Sequence, residues 1–232
     1  MKVAIMQPYF LPYLGYLQLI KSVDIFVVYD TIQYTKKGWI NRNRYLSNNN
    51  PSMFSIPIKK DSDYLDINQR VLSDNYLDYN KKTLRKLEQS YKNAPNFAEV
   101  FPLISKMFLF DESDNLFDFI FNSLELLTDY LEIETPLIKS SEVVGDDTTL
   151  KSTNRVVNIC KQLSANEYIN PIGGVELYDK EDFLKDGLTL NFHKINKIEY
   201  NQNSNTHIPY LSILDTIMFT NVKSLLDEYK LI

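Results

Sequence analysis

The sequence predicts an α/β fold: a parallel or mixed sheet flanked by helices, with a mostly helical insertion at about residues 78–135. Three observations predict it. A strand, a loop, a helix and a second strand follow one another within the first 30 residues. Long apolar stripes at helical spacing fill the middle of the chain, and strand–helix alternation returns after Pro136.

The elements follow in order. "KVAI" reads as a short strand ending at Met6, and "PYLGYLQLIKSV" places Leu14, Leu17, Ile20 and Val23 on one helical face. "DIFVVYD" is a continuous apolar run between Asp24 and Asp30, as expected of a strand buried on both faces. Together these make a βαβ unit with a right-handed crossover. "MFSIPIK" at 53–59 suggests a third strand, with Pro57 near an edge or an end. Leu84, Leu87 and Tyr91 share a helical face, as do Phe97, Val100, Ile104 and Phe108. A break falls at "YKNAPNF". Leu116, Phe117, Ile120, Phe121, Leu124, Leu127 and Leu131 form the clearest stripe.

Beyond Pro136, "PLIKSSEV" is strand-like. Val156, Val157, Cys160 and Leu163 lie on a helix opened by Ser152 or Thr153. "EYIN", leading into "PIGG", and "LTLNFHKI" read as strands, and "YNQNSNTHIP" as a loop. The last stretch, "LSILDTIMFTNVKSLLDEYKLI", reads as an amphipathic helix or helix pair. No repeat and no long linker divides the 232 residues, so one domain spanning 1–232 is expected.

Composition narrows the class. Charged residues at 24% and apolar residues at 44% are ordinary for a globular chain. The 16 tyrosines and 13 phenylalanines are many, and they fit either a ring-lined cleft or a coding bias that also enriches Asn, Lys and Ile. Cys160 is the single cysteine, which excludes an internal disulfide and fits a reducing, cytoplasmic setting. The first residues are too short an apolar run for a signal peptide, and no stretch reaches membrane-span length. A net charge of −5 argues against nucleic acid as partner. Charge is uneven, however. Residues 31–60 hold Lys36, Lys37, Arg42, Arg44, Lys59 and Lys60 with no acid, whereas 107–138 hold eight acids and no base. Such a basic segment suits phosphate or carboxylate, or pairs with the acidic helices.

Ligands of open α/β sheets sit where strands end in loops. The first such loop, "MQPYFLPY", is stiffened by two prolines. It offers the amide of Gln7 beside Pro8, and the rings of Tyr9 and Tyr16. Gly15 in the first helical turn leaves room for close approach. This is either an aromatic platform for a planar or sugar-like ligand, or a tightly packed structural loop. The second loop carries Asp30, Gln33, Trp39 and the run Asn41-Arg42-Asn43-Arg44. If extended, that run points its asparagines one way and its arginines the other. Arginine grips phosphate bidentately, so the pattern reads as a pyrophosphate site, or else as a charged surface strand. Gly173 and Gly174 could bring backbone N–H groups to an anion, although Gly-Gly is more often a turn. Ser212 and Asp215 read as a helix cap and first-turn acid, or as a polar pair in the site. Neither GxGxxG nor GxxxxGK[ST] occurs, and His193 and His207 are isolated, so no metal site is expected.

The segments "MQPYFLPYLGYLQLI", "DIFVVYDTIQY", "GWINRNR", "YKNAPNF", "YINPIGG" and "LSILDTIMF" together resemble the WbqC-like family over almost the full chain. Gln7, Pro8, Gly15, Asp30, Gln33, Trp39, Asn41, Arg42 and Asn43 fit its pattern. Many members carry His where this chain has Met6, and methionine cannot serve as a general base there. The family is associated with O-antigen (lipopolysaccharide) and other surface polysaccharide biosynthesis, and some members are named as glycine transferases. The resemblance implies N-acyl or N-aminoacyl (glycyl-type) transfer to the amine of a dTDP- or UDP-linked amino sugar. Asp30 is then the expected base, with Gln7 and Asn41 positioning the sugar or polarising the acyl carbonyl. Arg42 and Arg44 clamp the diphosphate. A free amino acid as donor requires ATP for activation. The alternative is a non-catalytic nucleotide-sugar binding protein of glycan assembly.

Overall fold

The computed structural model describes residues 1–145, 150, 152–204 and 206–232. Strand β1 (Lys2–Met6), helix α1 (Leu14–Lys21) and β2 (Ile25–Val28) form the expected βαβ unit, with the strands parallel from Val3 opposite Ile25 to Met6 opposite Val28. Ala4, Phe26 and Val28 face one core, while Val3, Ile5 and Val27 face another on the opposite side of the sheet. Burial on both faces is why the chain is apolar from Val3 to Met6 and throughout β2.

Strands β5 (Leu137–Lys139), β6 (Glu167–Pro171) and β7 (Thr189–Ile195) extend the sheet in parallel, and β8 (Tyr229–Leu231) closes it antiparallel to β7. The order is β5-β2-β1-β6-β7-β8. It is that of a doubly wound sheet, whose order reverses between β1 and β6. At that reversal only Lys2 and Val3 pair with β6, opposite Glu167 and Tyr168, whereas β1 stays paired with β2 as far as Met6. The ladder thus ends early on this side, at the carboxyl end where open sheets hold ligands.

Helices α2 (Tyr76–Tyr91), α3 (Phe97–Phe108) and α4 (Leu116–Tyr130) occupy the predicted helical stretch. Their stripes join α1 and α8 (Ile213–Phe219) in the larger core. The short α5 (Ser140–Val144) leads toward α6 (Ser152–Gln162), which with α7 (Lys180–Lys185) packs on the other face. The cap expected at Ser152 falls on a side chain outside the described residues.

Three expectations need correction. The third strand is β4 (Asn50–Ser55), which ends before Pro57 and pairs with β3 (Arg42–Ser47) as a separate two-stranded sheet. Asn48 and Asn49, both at positive φ, make the turn that reverses the chain there. "PLIKSSEV" is strand only through Lys139, because Ser140 and Ser141 turn into α5 as their side chains bind Asp30. The C-terminal stretch is α8, a 3-10 turn at Val222–Leu225 and then β8, whose end pairs with the open edge of β7 through Phe192 and Ile232. Among the described residues, no helix is long and apolar enough to cross a membrane.

Candidate functional site

The two N-terminal loops and the start of α8 meet around Leu11. This residue sits at φ 47, a left-handed conformation costly for a branched side chain. Its carbonyl accepts from Asn43 Nδ2 at 2.5 Å and from Ser212 Oγ at 2.8 Å. Backbone bonds add to the joint: Phe10 N donates to the Ile40 carbonyl at 2.9 Å, and Ile213 N to that of Pro12 at 2.6 Å. Phe10 is buried among Phe54, Phe108 and Phe119. The Pro-rich loop is therefore clamped from three directions, which explains its rigid bends.

The chain is extended along β3, and side chains alternate from Asn41, just before it, to Arg44. Asn41 and Asn43 point inward and are buried, while Arg42 and Arg44 are only partly buried. Asn41 accepts from Tyr34 Oη at 2.9 Å and donates to the Ile56 carbonyl at 2.7 Å. Asn43 Oδ1 accepts from Arg44 N at 2.8 Å and Tyr9 Oη at 3.4 Å. Ser212 also caps α8 by accepting from Leu214 N. Asn41, Asn43 and Ser212 thus hold the loops together from inside.

Outside lies an aromatic and cationic platform. The exposed Trp39 ring stacks with Tyr9 at 6.5 Å and lies 5.5 Å from the Arg42 guanidinium and 5.6 Å from that of Arg44. Arg42 Nε donates to the Gly38 carbonyl at 2.8 Å and its Nη2 to that of Lys37, while Arg44 Nη2 reaches the Tyr210 carbonyl at 3.1 Å. Arg44 Nε is buried with no partner. Lys36 pairs with Asp63 and Lys59 with Asp74, but among the described residues neither arginine meets a carboxylate. Burial raises the Tyr9 pKa, against the opposing pull of Arg44 and Arg42.

Gln7, partly buried, accepts at its carbonyl from Tyr16 Oη at 3.0 Å. Pro8 and Tyr16 are buried, and burial raises the Tyr16 pKa. Gly15 is small for a reason other than ligand approach: a Cβ there would overlap the Tyr13 ring, which lies across the first turn of α1.

Asp30 occupies a different setting. Its carboxylate, 2% exposed, accepts from Ser140 Oγ (2.6 Å), Ser141 N (3.0 Å), Ser141 Oγ (2.6 Å) and Asn68 Nδ2 (3.3 Å). Among the described residues it shares no partner with Arg42, whose side chain contacts Gly38, Lys37 and Trp39. The acid ties β2 to α5. Gln33 donates to the Asp63 carbonyl at 2.8 Å and bridges Asp66, so it braces the following loop. Gly173 is exposed with open space around it, while a Cβ on buried Gly174 would overlap the Asn170 amide.

One residue escaped the sequence reading. Arg155 of α6 is buried, donates from Nη2 to Thr31 Oγ1 at 2.5 Å, lies over the Tyr29 ring at 5.2 Å and has an unpartnered Nε. Thr31 in turn contacts Ser140 at 3.0 Å, so a run of hydroxyls links Arg155 to Asp30. Only its neighbour in space distinguishes it from any polar residue in the first turns of a helix. Cys160 is buried in the core and its thiol is pushed up to about 12 by that burial.

Comparison with known proteins places the chain in a family. The chain is 30% identical over 217 residues to a Mycobacterium tuberculosis protein named "Uncharacterized protein Rv1507c", covering 93% of this chain and 92% of that one. No solved structure matches it. The WbqC-like protein family matches residues 7–226, a span that contains the clamped loop, the platform and the start of α8, and the chain belongs to that family.

Proposed function

We propose that the protein binds a nucleotide-linked amino sugar and transfers an acyl or aminoacyl group to its amine, as a transferase of O-antigen or other surface polysaccharide biosynthesis. The observation that supports binding is the pair Arg42 and Arg44, flanking Trp39 with no carboxylate between them and one orphaned Nε. A diphosphate supplies the two negative charges this pair lacks, and Trp39 with Tyr9 supplies a surface for a flat base or sugar face. The transfer step rests on the family resemblance. An amino acid donor requires ATP, whereas a thioester donor does not.

The buried, fully hydrogen-bonded Asp30 favours a second reading, in which the protein binds the sugar nucleotide without turning it over. One experiment separates the two. The protein is incubated with dTDP-4-amino-4,6-dideoxyglucose and either glycine with ATP or acetyl-coenzyme A, and the product mass is followed. A mass gain of one glycyl or acetyl group supports transfer. Thermal stabilisation with the ligand intact supports binding alone, and neither change would count against both.

A further inference from the structure

A cavity of about 160 Å³ opens beside the arginine platform, lined by Tyr13, Leu14, Tyr200, His207, Tyr210 and Thr216 among others. Tyr210 joins the two: its carbonyl receives Arg44 Nη2 at 3.1 Å, and its ring meets Tyr13 edge to face at 6.3 Å. Behind the cavity lies Asp215, 0% exposed. Its carboxylate accepts from Tyr91 Oη (2.8 Å), Tyr200 Oη (2.7 Å) and Gln202 Nε2 (2.8 Å), and meets no lysine or arginine among the described residues.

This network fixes which atoms of the cavity wall can accept. A carboxylate only accepts, so the single phenolic proton of Tyr200 goes to Asp215. Thr216 Oγ1, 3.1 Å from Tyr200 Oη, must then donate to it, which leaves the threonine lone pairs as acceptors. The same logic assigns the histidine tautomer. His207 Nδ1 lies 3.3 Å from the Tyr200 carbonyl, which also only accepts, so Nδ1 carries a proton and in the neutral ring Nε2 is an acceptor. These two acceptors stand among tyrosine rings and beside Asn196, Lys197 and Glu199, which also line the cavity, and together they suit a ring that carries a group with several N–H donors.

Resting on the sugar-nucleotide reading above, we propose that this cavity takes the aminated sugar ring, with the amine against Thr216 and His207, and that His207 Nε2 accepts the amine's proton. The ammonium gives one proton to His207, and the freed lone pair forms a C–N bond to the carbonyl carbon of an activated acyl donor, a thioester or acyl phosphate. Collapse of the tetrahedral adduct breaks the carbonyl–sulfur or carbonyl–oxygen bond. The leaving group departs with that electron pair, and the second nitrogen proton passes to solvent. The charged groups around His207 are Glu199, paired with Lys197 at 2.7 Å, and Asp215 behind Tyr200.

The test is calorimetric titration of the full chain with dTDP, dTDP-6-deoxyglucose and dTDP-4-amino-4,6-dideoxyglucose, using wild type, His207→Gln, Thr216→Val and the conservative Thr216→Ser. The amino sugar is expected to bind wild type about tenfold tighter than its hydroxyl analogue, the size of one good polar contact. Thr216→Val and His207→Gln should shrink that margin to about threefold or less with dTDP affinity unchanged, and Thr216→Ser should restore it. His207→Gln should also slow transfer. A margin that persists in both variants while dTDP still binds overturns the cavity assignment alone. Absence of dTDP binding by wild type overturns the arginine-platform reading with it.

Discussion

Ser140 Oγ donates to Asp30 Oδ1 at 2.6 Å across 110 residues of chain, and this bond explains why the acid at the end of β2 is closed to solvent. Replacing Asp30 by Asn turns one acceptor oxygen into a donor facing Ser141 Oγ or Asn68 Nδ2. Asp30→Asn should therefore lower stability by about 1–3 kcal/mol in chemical denaturation. If Asp30 were the exposed base, the variant would lose turnover at wild-type stability instead.

The arginine pair makes a prediction about salt. Arg42→Met and Arg44→Met should each weaken dTDP binding about tenfold or more, as expected for a lost charged hydrogen bond. The dependence of affinity on ionic strength should also become shallower. Calorimetry at low and high salt measures both.

Two neighbouring glycines should behave differently. Gly174→Ala places a Cβ on the Asn170 amide, which donates to the Pro171 carbonyl and accepts from Tyr168 Oη at 2.9 Å, so it should cost about 1–3 kcal/mol. Gly173→Ala meets nothing and should lie within about 0.5 kcal/mol of wild type. Equal effects in urea melts would contradict this.

His193 stacks on Tyr229 at 4.7 Å, where β7 pairs with β8. Burial lowers its pKa from 6.5 to about 4. Between those values the unfolded chain binds a proton that the folded one refuses, so stability falls as pH drops from 6.5 toward 4, by roughly 1.4 kcal/mol per unit at most. His193→Phe keeps a ring against Tyr229 and should remove that part of the acid sensitivity in denaturation curves across this range.

The tyrosines make the opposite edge of the pH range sensitive. Burial raises the phenols of Tyr16, Tyr91 and Tyr168 above the ordinary value of 10.0. Above that pH the unfolded chain sheds protons that the folded one retains, so stability is lost as pH rises. Tyrosinate absorbance should appear together with loss of helical circular dichroism. A phenolate signal from these residues in a still-folded protein would contradict the prediction.

What the sequence revealed divides along the range of the interactions involved. β1 and β2 were legible because a strand buried on both faces must be apolar at nearly every position, and the α2–α4 stripes were legible because a buried helical face repeats locally. The inward asparagines and outward arginines of β3 followed from strand alternation. β8 was not legible, because "YKL" becomes a strand only by meeting the edge of β7. Asp30 stood out at a strand end, but its closure depends on Ser140 and Ser141, far along the chain. Arg155 and His207 gained meaning only from Thr31, Tyr200 and the cavity they approach.

The left-handed turn at Leu11 has a kinetic consequence. Its carbonyl is secured by Asn43, 32 residues away, and by Ser212, 201 residues away, while Gln18 on the adjoining helix reaches the backbone of Leu225. During synthesis this loop thus sets only after a residue 201 positions downstream has been made, because Ser212 is one of its fasteners. Such distant closures slow folding. They also make the finished loop a check on the chain that follows it, since a product truncated before residue 212 would lack the serine that locks it.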